Sequence, residues 1–373
     1  MRIRNGLVFC DDGALRRTDV NACGDVICET AQGDELDASG CIVAPGFVDC
    51  HIHGAHGRDF CEASAEANGE IAAYLASVGV TSYLGTTMAM EKDTLRAMLR
   101  CAKECMDAPR AGCAVMRGVN LEGPFASKEK KGAMQESLLL QPDVGFLREL
   151  DGLCGGRIRF ADVAPELPGG MEFVREAAGT FVVSIAHSAA DYDTAKQAFE
   201  CGATHVTHLY NAMAPFSHRA PGLIGAAMDY AKDVELISDG IHVHPAAVRA
   251  AFKMFGGDRV CLISDAMMAC GMPNGQYELG GQAVTVKDGL ATLASGTIAG
   301  SATPLPECFR RAAGEFGVPL EEALRAATIN PARAARIDGE VGSITPGKRA
   351  DFTLLDEQTL RVRHCVLAGR LLF

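Results

Sequence analysis

The chain has 373 residues, 48% of them hydrophobic, with 35 Lys and Arg against 47 Asp and Glu for a formal net charge of −12. That balance argues against nucleic acid as a partner, and no apolar run approaches the roughly 18 residues of a membrane span. The length exceeds one ordinary domain and accommodates a parallel α/β barrel of about 250 residues with a small accessory domain.

Taken in chain order, residues 1–42 read as strands and turns (IRNGLVFCDDG, DVICETAQG, ASGCIVAPG). The opening MRIRNGLVFCDDG lacks the apolar core of a signal peptide, so a cytoplasmic location is expected. From residue 43, eight β-like runs follow: VAPGFVDCHIH, VTSYLGTTM, AVMRGVNLEGP, IRFADVAPE, FVVSIAH, THVTHLYNAM, VELISDGIH and VCLISDAM. Helix-like stretches such as AEANGEIAAYLASVG, DYDTAKQAFECG and HPAAVRAAFKMFG lie between several of them. Strands alternating with helices predict a parallel sheet, and the count predicts closure into a (β/α)8 TIM-like barrel. Residues 274–297 alternate like hairpins, and ITPGKRADFTLLD and RVRHCVLAGRLLF return to strand-and-turn text. The expected organisation is a barrel over residues 45–340 and a small β-sandwich built from 1–44 and 341–373. The 15 cysteines are odd in number, scattered through apolar segments and free of CxxC pairs, so they are expected to be reduced packing residues.

In such a barrel the C-terminal strand ends face one mouth. The residues there are His51 and His53 on the first run, Glu122 on the third, His187 on the fifth and His208 on the sixth. Asp239 and His242 follow on the seventh, and Asp265 on the eighth. Side chains two apart on a strand share a face, so His51 and His53 can bind one ion, and imidazole suits zinc, iron, cobalt or nickel. The alternative is a polar strand end with solvated histidines. Glu122, before Gly-Pro, can offset a cation's charge or can be a surface carboxylate. His187 and His208, taken singly, read equally as hydrogen-bonded core histidines.

His205, three before His208, is expected to face the other way and serve structure. Asp265 is the candidate acid–base group: a carboxylate beside a cation can take a proton from an activated water and pass one to a leaving amine. Its alternative is a helix cap. The stretch LYNAMAPFSHRAPGLIG offers an amide at Asn211, backbone donors around Ala212 and a cation at Arg219 suited to phosphate. No Walker loop or GxGxxG motif supports nucleotide handling.

The segments PGFVDCHIHG, LEGPF, AHS, THLYNAM, HRAPGLIGAAMD, SDGIHV, LISDAM, GSATPL and PGKRADFTLLD occur in an order that resembles the N-acetylglucosamine-6-phosphate deacetylase family of the amidohydrolase superfamily. The resemblance runs over nearly the whole chain. It implies a barrel with a β-sandwich from both termini, a homodimer, and hydrolysis of N-acetylglucosamine 6-phosphate to glucosamine 6-phosphate and acetate. It also implies Glu122, His187 and His208 as core ligands of a divalent metal (Zn, Fe or Co), with His51 and His53 adding a second ion in some members.

Asp265 corresponds to the catalytic aspartate, and Asn211 and Ala212 to residues holding the sugar phosphate. Arg219 and His242 match contacts that reach across from the neighbouring subunit. Met134, in KKGAMQ, stands where many members have a histidine that positions or polarises the acetyl group. An N-acetylgalactosamine-6-phosphate deacetylase and a non-enzymatic metal- or sugar-phosphate-binding barrel are the alternatives.

Overall fold

The computed structural model describes residues 1–31 and 33–373. All eight β-like runs form strands of one parallel sheet, each beside its sequence neighbour. They are β1 (Phe47–Ile52), β2 (Val80–Thr86), β3 (Val115–Leu121), β4 (Ile158–Val163), β5 (Val182–Ile185), β6 (His205–Val206), β7 (Asp233–Ile237) and β8 (Val260–Ile263). Such strands are apolar on both faces because helices cover one side and the barrel interior the other, which is why β2 is buried at every position. At the mouth, His53 N–H donates to Ala266 O at 2.8 Å and Asp265 N–H to His51 O at 3.0 Å, joining the last strand to the first.

The helices are α1 (Ala65–Ser77), α2 (Lys92–Asp107), α3 (Val144–Leu153), α4 (Gly170–Ala177), α5 (Tyr192–Cys201), α6 (Gly222–Tyr230), α7 (Pro245–Phe255) and α8 (Leu305–Gly314). Their limits follow local chemistry. Ser64 caps α1 through Ala67 N–H, and Asp191 caps α5 through Thr194 N–H at 2.8 Å. Gly202 closes α5 at φ 120°, a backbone state L-residues rarely adopt. Two further helices, α9 (Leu320–Ala327) and α10 (Ile329–Ala334), follow, and residues after α10 complete a buried cluster with Val48, Leu84, Phe160 and Ile263.

Within the core, Phe309 of α8 meets Phe47 edge-on with ring centroids 5.1 Å apart, and both are fully buried. Phe309→Ala is expected to cost about 3–5 kcal/mol, read as a lower urea midpoint at unchanged slope.

The two termini meet. Strands Phe352–Asp356, Val362–Leu367 and Arg370–Leu371 join Cys41–Pro45, Leu7–Phe9 and Leu15–Arg17 in a six-stranded sheet. A four-stranded sheet of Arg2–Arg4, Val20–Cys23, Val26–Cys28 and Glu35–Asp37 packs against it through Ile3, Val20, Val43, Phe352 and Val366. The hairpin text becomes a separate three-stranded sheet, Gly275–Leu279, Gln282–Lys287 and Leu290–Thr292. Among the described residues, no helix is long and apolar enough to cross a membrane.

One expectation is corrected. Cys23 and Cys28 are joined as a disulfide with Cα atoms 5.9 Å apart, while the other cysteines are free. The hairpin register sets Asn21 opposite Cys28 and Cys23 opposite Val26, folding the two thiols back toward one another. Spacing along the chain does not reveal this, because the turn between them, not a CxxC motif, brings them together.

Candidate active site

At the mouth, the two histidines of HIH sit on one face as a period of two requires, with Nε2 atoms 3.3 Å apart. Glu122 lies between two imidazole pairs. Its Oε2 is 3.1 Å from His53 Nε2 and 3.7 Å from His51 Nε2, and its Oε1 is 2.9 Å from His187 Nε2 and 3.0 Å from His208 Nε2. Asp265 Oδ1 completes the group, 3.2 Å from His53 Nε2 and 3.5 Å from His51 Nε2. All six side chains are buried. The backbone is bent to deliver them: His187, His208 and Asp265 adopt φ of 47°, 31° and 48°. Left-handed conformations at non-glycine residues cost about 1–3 kcal/mol each and persist where function over-determines them.

The hydrogen positions explain what this cluster is suited to hold. His187 Nδ1–H donates to Lys130 O at 2.8 Å and His51 Nδ1–H to Glu235 Oε2 at 2.9 Å. Each Nε2 is then left with a lone pair, and those lone pairs face one another and two carboxylates. His53 Nδ1 and His208 Nδ1 are buried without hydrogen-bond partners. Such crowding of acceptors needs intervening protons or a cation.

Protons answer it partly. Burial disfavours charge on His53, but Glu122 and Asp265 outweigh it and push the ring up to about 9. Burial likewise opposes ionisation of Glu122, and the facing histidines, His51 and His53 foremost, hold it well below the usual carboxylate range. Two triplets, His51–His53–Glu122 and Glu122–His187–His208, each have donor atoms within 4.8 Å of one another. An all-imidazole and carboxylate donor set fits a divalent transition metal, with a carboxylate placed to bridge.

The sequence profile of the Amidohydrolase family matches residues 42–372. The chain belongs to that family.

This amidohydrolase is 38% identical over 346 residues to the N-acetylglucosamine-6-phosphate deacetylase of Lysinibacillus sphaericus, covering 91% of this chain and 88% of the relative. It is 36% identical over 341 residues to the N-acetylgalactosamine-6-phosphate deacetylase of Escherichia coli O157:H7, covering 90% and 89%. Among solved structures, a mutant N-acetyl-D-glucosamine-6-phosphate deacetylase from Mycobacterium smegmatis, in complex with N-acetyl-D-glucosamine-6-phosphate, superposes with a TM-score of 0.92 at 32% identity, over 100% of this chain and 99% of that one.

Beside the amidohydrolase cluster lies a cavity of about 230 Å³, lined by polar groups of Asn211, His242 and Asp265 and by Ala212, Met88, Met134 and Leu279. Arg219 is exposed and is not among its lining residues. His242 is among the residues lining the cavity of its own chain. Asp239 holds it there: Oδ2 is 2.7 Å from His242 Nδ1, and Oδ1 accepts from the His242 backbone N–H at 2.9 Å. Burial would lower the His242 imidazole, and the bond and charge of Asp239 raise it instead.

Met134 is buried, its Sδ 3.3 Å from where a Cβ on Gly123 would lie, so the thioether packs beside the strand end carrying Glu122. The loop before it needs Gly132, at φ 55°, where a Cβ would stand 3.2 Å from His187 Cε1.

Three buried carboxylates on barrel strands escaped the sequence reading. Glu235 of β7 contacts His51, Asp49 of β1 accepts from Ser264 Oγ, and Asp162 of β4 accepts from Thr207 Oγ1 at 3.0 Å. Burial pushes Asp49 up to about 7 despite its bonds to Ser264. Each sits at an interior strand position that cannot be buried without partners, but the partners come from other strands and do not show in the local sequence. His205 lies against Glu235, Nε2 to Oε1 3.3 Å, behind the cluster.

Proposed function

We propose that this amidohydrolase cleaves N-acetylglucosamine 6-phosphate to glucosamine 6-phosphate and acetate, as a cytoplasmic homodimer. The observation that carries the reading is one carboxylate, Glu122, shared between two imidazole pairs with Asp265 alongside and a cavity at their edge. The 38% identity to the Lysinibacillus sphaericus deacetylase supports the substrate class.

Glu122, His187 and His208 are the residues assigned to one divalent ion, with His51 and His53 serving a second; zinc, iron and cobalt all suit the donors. When bound, such a cation polarises the amide carbonyl and acidifies water. Asp265 Oδ1 takes the water's proton as the oxygen adds to the acyl carbon, then passes it to the amide nitrogen as the C–N bond breaks. The amine must leave protonated, because an amide anion is too basic to depart.

His242, with Nδ1–H committed to Asp239, is assigned to a sugar hydroxyl through Nε2. Asn211 and the backbone N–H of Ala212 are assigned to the phosphate end. The exposed Arg219 is assigned to the phosphate of the neighbouring protomer, an exchange that two-fold symmetry makes reciprocal. Binding energy at that remote end orients the reacting amide.

Acetate release from the gluco and galacto phosphosugars, compared by kcat/KM, tests this reading. A clear gluco preference supports it. A galacto preference moves the assignment to the activity named for the Escherichia coli relative, and binding without acetate release leaves only a binding barrel. Met134 bears on the same step. With ions held by both histidine pairs, carbonyl polarisation would not need a histidine in that loop, so Met134→His is expected to change kcat by less than about tenfold, roughly 1.4 kcal/mol. A large gain in turnover would contradict that.

A further inference from the structure

We propose that Glu235 is the positioning residue for the second ion: it fixes His51 as a ligand and sets the affinity of the His51–His53 side of the centre. The inference rests on the metal-dependent reading above. Glu235 lies in the middle of β7, is fully buried and does not line the cavity. Its Oε2 accepts from His51 Nδ1–H at 2.9 Å and from the His208 backbone N–H at 3.2 Å, and its Oε1 is 3.3 Å from His205 Nε2. His205 is held in turn by stacking on Phe160, centroids 4.6 Å apart.

The tautomer follows. With Nδ1–H given to Glu235, the His51 lone pair sits on Nε2, aimed at His53, Glu122 and Asp265. An anionic acceptor on a ligand's far nitrogen raises its basicity and locks its ring.

The other triplet has no such support. His187 is oriented by a neutral main-chain carbonyl, Lys130 O, and His208 Nδ1 has no partner. A charged contact to a ligand's imidazole ring is thus made on the His51 side, while on the other side the same carboxylate reaches only the His208 backbone N–H. A buried carboxylate is costly to keep for folding alone, whereas a role in holding His51 accounts for its position.

The test titrates zinc into metal-free wild type and Glu235→Gln, following affinity by calorimetry and stoichiometry by elemental analysis. Glutamine keeps the shape and an acceptor but removes the charge. Wild type is expected to bind two ions per subunit. The variant is expected to keep the first affinity and to bind the second about 10–100-fold more weakly. Cobalt titration should show the same asymmetry, with the absorption step for the second equivalent displaced to higher concentration.

Equal weakening of both ions would indicate a general structural role and overturn the proposal, as would two unchanged affinities. A wild type that stops at one ion overturns it while leaving metal-dependent hydrolysis intact. A wild type that binds none refutes the underlying reading as well. If Glu235→Gln fails to fold, Glu235→Asp, which keeps the charge but shortens the reach, is read by the same criteria.

Discussion

Asp265→Asn is expected to lower kcat for acetate release by about 10²–10⁴-fold while bound metal stays near the wild-type level. The substitution keeps the shape and removes the acceptor. Asp265 Oδ1 stands 3.2 Å from His53 Nε2, at the border between the imidazole cluster and the cavity. Burial opposes its ionisation, but His51 and His53 hold the carboxyl below its ordinary range, as the proposed role of base requires. Asparagine can neither take the water's proton nor return one to the amine. Near-normal turnover in a metal-replete variant would remove Asp265 from the chemistry.

Glu122→Ala should have the second large effect, and on two observables. Glu122 belongs to both candidate triplets, so its loss breaks both at once. Bound metal is expected to fall to a small fraction of an ion per subunit, and acetate release by at least about 10³-fold, since several kcal/mol of charge stabilisation go with the ion. The apoprotein should also lose stability, by about 3–5 kcal/mol, because four buried imidazoles lose their shared carboxylate. Elemental analysis and urea unfolding in chelator separate the two. A variant that still binds a full complement of metal would show that Glu122 is not required to hold the ions.

The site was legible where chemistry and strand period coincide. A spacing of two on a strand forces His51 and His53 to one face, and residues that end successive parallel strands must meet at one mouth. Glu122, His187, His208 and Asp265 obey that rule, because barrel closure converts chain order into convergence.

Other features depend on three-dimensional partners that no local pattern reveals. Glu235 looks like any single acid in VELIS until the barrel sets it against His51 and His205. Cys23 and Cys28 pair because a hairpin turns between them. His242 is fixed by Asp239, three residues earlier, which binds its ring and its backbone N–H. The fold followed the same division. Eight apolar runs announce the barrel, and strand-and-turn text at both ends announces a shared β domain, whereas the register that pairs Cys41–Pro45 with Phe352–Asp356, more than 300 positions apart, appears only on assembly.

The most direct test is anomalous diffraction from crystals of the zinc-loaded protein, with acetate release assayed on the same preparation. A peak bounded by Glu122 Oε1, His187 Nε2 and His208 Nε2, in protein that hydrolyses the phosphosugar amide, is the predicted result. Zinc bound elsewhere on the molecule, or full hydrolysis with no ion among these three side chains, would contradict it.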